Sequence, residues 1–200
     1  MADPVVTNIL KSGAVCYYAP AGTAFPNENS VGAGVAWGGS WKKLGFTKEP
    51  VKLAYEDEEH EIEVEEFLAA VGRTKIGEKA TIETTLSELI ADYLQLGVDG
   101  TVTTTTAAPA QVGKEELVIG NVSKKTQYVL GFEGIRYDAT GNVLPIRIGF
   151  YICTIKLNGE LKFSRRDDDH TGVPLQAQAL GDPANSGRLI FFQRTTAPHT

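Results

Sequence analysis

Between Val51 and Gly97 the spacing of apolar residues changes from every second position to a helical stripe, so the chain must pass there from strand to helix. In His60–Glu61–Ile62–Glu63–Val64–Glu65, apolar and acidic residues alternate. The spacing places Ile62 and Val64 on one strand face and Glu61, Glu63 and Glu65 on the other. Arg73 to Thr85 repeats the signal, with Ile76, Ala80 and Ile82 expected inward and Lys79, Thr81 and Glu83 outward. Leu86, Leu89, Ile90, Tyr93 and Leu94 then form one helical stripe. Thr85 and Glu88 have capping-box spacing at its start, and Gly97 suits a left-handed residue past its end.

The rest of the chain reads as strands. Val15, Tyr17 and Tyr18 mark one over Ala14–Ala19, closed by Pro20. A Gly, Ala, Asn and Pro-rich stretch over 21–40 leads to Trp37 and Trp41. These tryptophans read as partly buried anchors or, in the functional alternative, as groups that dock on a neighbouring subunit. Trp41–Phe46 and Val51–Tyr55 follow as strands around a turn at Lys48–Glu49–Pro50. Val98–Gly113, with its Thr103–Thr106 run, reads as an exposed loop. Glu116–Ile119, Thr126–Phe132, Leu175–Leu180 and Arg188–Phe192 complete the set.

Ile146, Ile148, Phe150, Ile152 and Thr154 alternate with their neighbours. Asn158–Gly159 supplies a two-residue turn, and Leu161 and Phe163 return, so a long β-hairpin is expected there, with Pro145 at its first position. About ten short strands and one helix imply a mainly-β fold, an antiparallel sandwich or barrel with one flanking α-helix. The 200 residues read as a single domain with an N-terminal arm over about 1–13 and long loops at about 21–40 and 98–113. At least one of these three segments is expected to order only against an adjacent subunit.

Composition narrows function mainly by exclusion. A formal net charge of −6 argues against a basic surface that grips nucleic acid. No stretch reaches the ~20 apolar residues of a membrane span. The N-terminus lacks the basic region and apolar run of a secretory signal, and isolated Cys16 and Cys153 fit a reducing compartment. No phosphate-binding glycine loop, nucleophile elbow or Cys-x-x-Cys is present. His60, His170 and His199 are scattered. Asp167, Asp169, Thr171 and Gly172 match the opening of a calcium loop. Pro174 and Gln178 break the match, so a polar turn balanced by Arg165 and Arg166 is the better reading. No catalytic residue, cofactor or metal is expected.

Several stretches in order resemble the major tail tube proteins of long-tailed bacteriophages. They are Trp41–Lys-Lys-Leu-Gly-Phe-Thr followed by a strand ending in Tyr55–Glu56, the acidic strand, and Ala80–Thr-Ile-Glu-Thr-Thr-Leu-Ser-Glu. Gly159–Glu-Leu-Lys-Phe and Val173–Pro-Leu-Gln-Ala-Gln-Ala-Leu-Gly-Asp-Pro close the series, which spans roughly residues 38–192. The resemblance implies a virion protein, not an enzyme, assembled in the bacterial cytoplasm. Six protomers would form a ring whose inner strands join into one barrel. Rings would stack into a hollow tube around a tape-measure protein, bounded by tail tip and terminator proteins, through which double-stranded DNA later passes. Type VI secretion-like tubes are a close alternative. A monomeric carbohydrate-binding sandwich and a hydrolase using the acidic strand are more distant ones. Within a tube, Glu61, Glu63 and Glu65 are candidates to face the lumen, where they would repel passing phosphates. Leu89, Ile90, Tyr93 and Leu94 are candidates to pack the helix on the sandwich.

Overall fold

The computed structural model describes residues 14–27, 29–63, 65, 69–120, 123–161 and 171–197. The described part is mainly β, with antiparallel sheets in a sandwich-like arrangement and one α-helix. The strands are β1 (Val15–Pro20), β2 (Lys42–Lys43), β3 (Lys52–Ile62), β4 (Gly72–Leu86), β5 (Gly100–Thr105), β6 (Lys114–Ile119), β7 (Gln127–Tyr137), β8 (Val143–Leu157), β9 (Val173–Leu180) and β10 (Ile190–Arg194). The helix α1 spans Ala91–Val98 between β4 and β5. The main sheet runs β2-β1-β7-β8-β9-β4-β3, with β10 also paired to β8.

The main core lies on one face of this sheet. Cys16 and Tyr18 of β1, Leu130 and Phe132 of β7, Phe150 of β8 and Ile82 and Leu86 of β4 meet there with Leu96 of α1. A bulge sets the phase of β8. Tyr128 pairs with Cys153 but Leu130 pairs with Phe150, so one extra residue of β8 is accommodated. The core-facing set therefore switches from Ile148 and Phe150 to Cys153 and Ile155, and the uninterrupted alternation expected through Thr154 is corrected.

The opposite face of β1, β7 and β8 is covered by the 21–40 segment. Trp37 and Trp41 are buried there with Tyr17, Ala19 and Val129, so they anchor on their own sheet. Gly131 and Gly149 are direct partners across β7 and β8. A Cβ on Gly131 would lie 2.5 Å from the Trp37 ring, and one on Gly149 2.9 Å from Phe25, so this glycine pair makes the flat bed on which the rings rest. Glu133 and Arg147 hold the segment down. Glu133 accepts hydrogen bonds from Gly34 N–H (2.8 Å), Trp37 Nε1 (3.1 Å) and Arg147 Nε (2.8 Å). Arg147 donates further to the carbonyls of Pro26 and Val31. The pair is 2% and 1% exposed, and the extra hydrogen bonds satisfy the groups that its burial desolvates.

The helix departs most from the sequence expectation. Strand pairing wins over the helical stripe as far as Leu86, which pairs with Val173 and bridges Thr47. Lys48 N–H bonds to Thr85 O, and Ser87 N–H to Phe46 O. The helix starts only after Ile90, with no side-chain cap, so the Thr85–Glu88 capping box is not formed. Its left-handed end is Asp99 (φ 50°), not Gly97. Gly97 lies inside α1, where a Cβ would sit 3.1 Å from Leu157 N, so the glycine permits close approach to β8.

Other corrections are local. The expected 98–113 loop contains strand β5 and leads into β6, with which it forms a separate two-stranded sheet. The 21–40 segment packs on the main sheet through Phe25, Val31 and Trp37, and the 1–13 arm lies outside the described residues. Asn158–Gly159 does not close a two-residue hairpin. Glu160 and Leu161 carry no strand, Phe163 and Asp167–His170 lie outside the described residues, and β8 pairs instead with β9. Pro145 is the third residue of β8 and pairs with Ile135. Only Lys42–Lys43 of the Trp41–Phe46 strand forms, because Leu44 turns into the core.

Candidate functional site

Strands β3 and β4 form a ribbon that runs beyond the sheet. β9 covers β4 only from Thr81 to Leu86. Among the described residues, β3 alone pairs with β4 from Gly72 to Ala80, so the far side of that length has no strand partner, and no strand pairs with the outer side of β3. All eleven residues of β3 are exposed. Ile62 is 44% exposed and Ile76 60%, so the dry face expected for Ile62 and the inward orientation expected for Ile76 are both corrected. Val64 lies outside the described residues. Ile76 falls at a bulge, where the partners of Glu58 and Glu59 are Gly77 and Lys75. Ala80 and Ile82 are buried as the alternation requires.

Charge is segregated between the two strands. Residues 52–83 carry ten acidic and four basic side chains, a net of −6 that equals the formal charge of the whole chain. On β3 the acids are Glu56, Asp57, Glu58, Glu59 and Glu61, with Lys52 the one base. The unpaired length of β4 carries Arg73, Lys75 and Lys79 against Glu78. Cross-strand partners oppose sign at Glu56–Lys79, Glu59–Lys75 and Glu61–Arg73. Arg73 lies 2.8 Å from Glu61 and 3.6 Å from Glu59. Beyond the bulge, Tyr55 donates to Glu78 (2.9 Å), and Lys75 bonds both Glu78 and the Tyr55 hydroxyl. Hydrogen bonds from Lys75 and Tyr55 hold the Glu78 carboxyl below its ordinary pKa, and bonds to Glu78 and Tyr55 raise that of Lys75.

Of the candidate acids, Glu61 sits on β3 in an ion pair, while Glu63 and Glu65 lie beyond the strand's end; all three are exposed. The helix candidates divide. Tyr93 and Leu94 pack against the core, and the Tyr93 hydroxyl accepts a hydrogen bond from Gly45 N–H (2.9 Å). Leu89 and Ile90 precede the helix and are each 40% exposed, so their assignment to a packed stripe is corrected; Leu96 is the buried residue instead. His60 is exposed on β3, and His170 and His199 lie outside the described residues. Among the described residues, no group of three or more His, Cys, Asp or Glu is placed to hold a metal ion. No described helix is long and apolar enough to cross a membrane.

Two features escaped the sequence reading. The basic edge of β4 was legible in the spacing of Arg73, Lys75 and Lys79, but the acids beside it dominate the pattern. The Glu133–Arg147 pair stands out only as two charges inside apolar strands, with nothing in sequence to join them. No protein-family model matches the chain, and no curated protein matches it.

Proposed function

We infer that the chain is a self-assembling structural protein whose protomers form stacked hexameric rings, the hollow tail tube of a long-tailed bacteriophage. The single observation that carries the assembly reading is the β3–β4 ribbon. An isolated two-stranded ribbon is marginally stable in water, and this one exposes Leu53, Tyr55, Ile62, Val71 and Ile76 together with two edges that no strand pairs among the described residues. Such a ribbon gains order by joining others. The order and spacing of the tail-tube-like stretches supply the kind of assembly, and the acidic ribbon supplies a wall to which DNA phosphates do not adhere. Glu61, Glu63 and Glu65 then face the bore.

Negative-stain microscopy of the purified protein tests this reading. Rings or tubes of uniform width are the expected result. A monodisperse 21.5 kDa species at every concentration and salt would exclude it.

A further inference from the structure

Of the seven asparagines in the chain, only Asn158 is followed by glycine; the other six precede Ile, Glu, Ser or Val. The Asn158–Gly159 pair does not close the hairpin that its sequence suits, and it lies exposed just past the end of β8. We propose that Asn158–Gly159 is a modification site where the chain deamidates spontaneously, turning a tie between β8 and β4 into a repulsion.

The reaction needs an asparagine side chain free to fold back onto the next backbone nitrogen. A Cβ on the following residue hinders that approach, and glycine has none. Among the described residues the Gly159 N–H has no hydrogen-bond partner. A Cβ built on Gly159 would meet only Pro174 Cγ, 3.8 Å away, so there is room for a ring to close. The Asn158 amide is held by a long bond, Nδ2 to Glu83 Oε1 at 3.3 Å, which is past the usual N–H···O range. The Gly159 nitrogen gives its proton to solvent and attacks Asn158 Cγ. The N–Cγ bond forms, the Cγ–Nδ2 bond breaks, and Nδ2 takes a proton from solvent and leaves as ammonia. Water then opens the succinimide at either carbonyl, giving aspartate or isoaspartate. The net change is one water consumed and one ammonia released.

The consequence follows from what Asn158 touches. Its N–H donates to Pro174 O (2.9 Å) and its side chain to Glu83, which also accepts from Gln176 Nε2 (2.6 Å). Asn158 thus binds the end of β8 to both β9 and β4. A carboxylate at this position is ionised at neutral pH, offers Glu83 no hydrogen and repels it. Glu49 and Lys52 line the same cleft, so the new charge sets three acids against one base there.

Peptide mapping after incubation in mildly alkaline buffer tests the first step, read on the tryptic peptide Leu157–Lys162 from native protein and from protein held in urea. Native Asn158 should convert faster than any other asparagine and at no less than about a tenth of its rate in urea, and Gly159→Ala should slow it about tenfold or more. A native rate below that tenth, or one that Gly159→Ala leaves unchanged, overturns the proposal. The second step is read on Asn158→Asp, which has the product's charge without the ring chemistry. At low salt the backbone amide of residue 158 should exchange about threefold or more faster in this variant than in wild type, and high salt should shrink the difference. Adding Glu83→Gln to Asn158→Asp should return exchange to within about twofold of wild type. Unchanged exchange in Asn158→Asp, or an increase that Glu83→Gln does not relieve, overturns the repulsion and with it the proposal.

Discussion

The covered face of β1, β7 and β8 and the β3–β4 ribbon use charge in opposite ways. On the covered face one acid and one base are almost fully buried, and Gly34, Trp37, Pro26 and Val31 complete their hydrogen bonds. There the ion pair fixes a long irregular segment to its own sheet. On the ribbon the charges are many, exposed and only partly matched, and among the described residues the strands that carry them have unpaired sides. Burial makes a charge pair a structural commitment, whereas exposure leaves it available to a neighbour.

The largest contrast should appear on deleting one arginine from each region. Arg147→Ala leaves the Glu133 carboxylate buried without its cation and should cost about 3–5 kcal/mol. Arg73→Ala removes a pair with half-exposed partners and should cost about 0–1 kcal/mol in the isolated protomer. Urea unfolding of both variants measures the gap. Equal costs would mean that the buried pair does not hold the covering segment.

The helix gives a second, smaller contrast. Leu96→Ala should lose about 2–5 kcal/mol because Leu96 is 3% exposed in the core. Leu89→Ala, at an exposed position before the helix, should stay within about 0.5 kcal/mol of wild type. Comparing their thermal midpoints checks the corrected start of α1.

A smaller effect still is expected where α1 meets the second hairpin. Asp99 lies 2.5 Å from Lys125 Nζ and accepts a hydrogen bond from Thr126 N–H. Burial pushes its pKa upward, but the bonds from Lys125 and Thr126 outweigh that and hold it below the ordinary carboxylate value. A depressed native pKa gives stability that is present above the unfolded value and lost as pH falls through the native one. Wild type should therefore exceed Asp99→Asn in stability by a constant margin above about pH 4, closing below it. An acid titration of both proteins reads the margin; one that persists unchanged at pH 2 would contradict the pairing.

Much of the fold was legible because period-two patterning survives wherever one strand face is buried. Ala80 and Ile82 are buried as their spacing requires, and β9 forms where the Leu175–Leu180 strand was expected. The reading failed where tertiary pairing overrode local signals. Leu86 fits a helical stripe but is held by Val173 and Thr47, and the bulge opposite Val129 shifts the phase of β8 in a way that no run of residues records. On the ribbon, alternation of Ile62 with glutamates implied a dry face that the chain alone does not supply. Hydrophobic spacing there falls on an exposed ribbon, and spacing cannot distinguish an exposed apolar face from a buried one.

Hydrogen exchange, followed residue by residue on dilute protomers and on assembled protein, compares the two regions in one experiment. In the protomer the ribbon amides of 52–62 and 72–80 should exchange fast, while Gly34, held by Glu133, exchanges slowly. On assembly the ribbon should become protected and Gly34 should not change. A ribbon that exchanges at the same rate in both states would contradict its role as the joining surface.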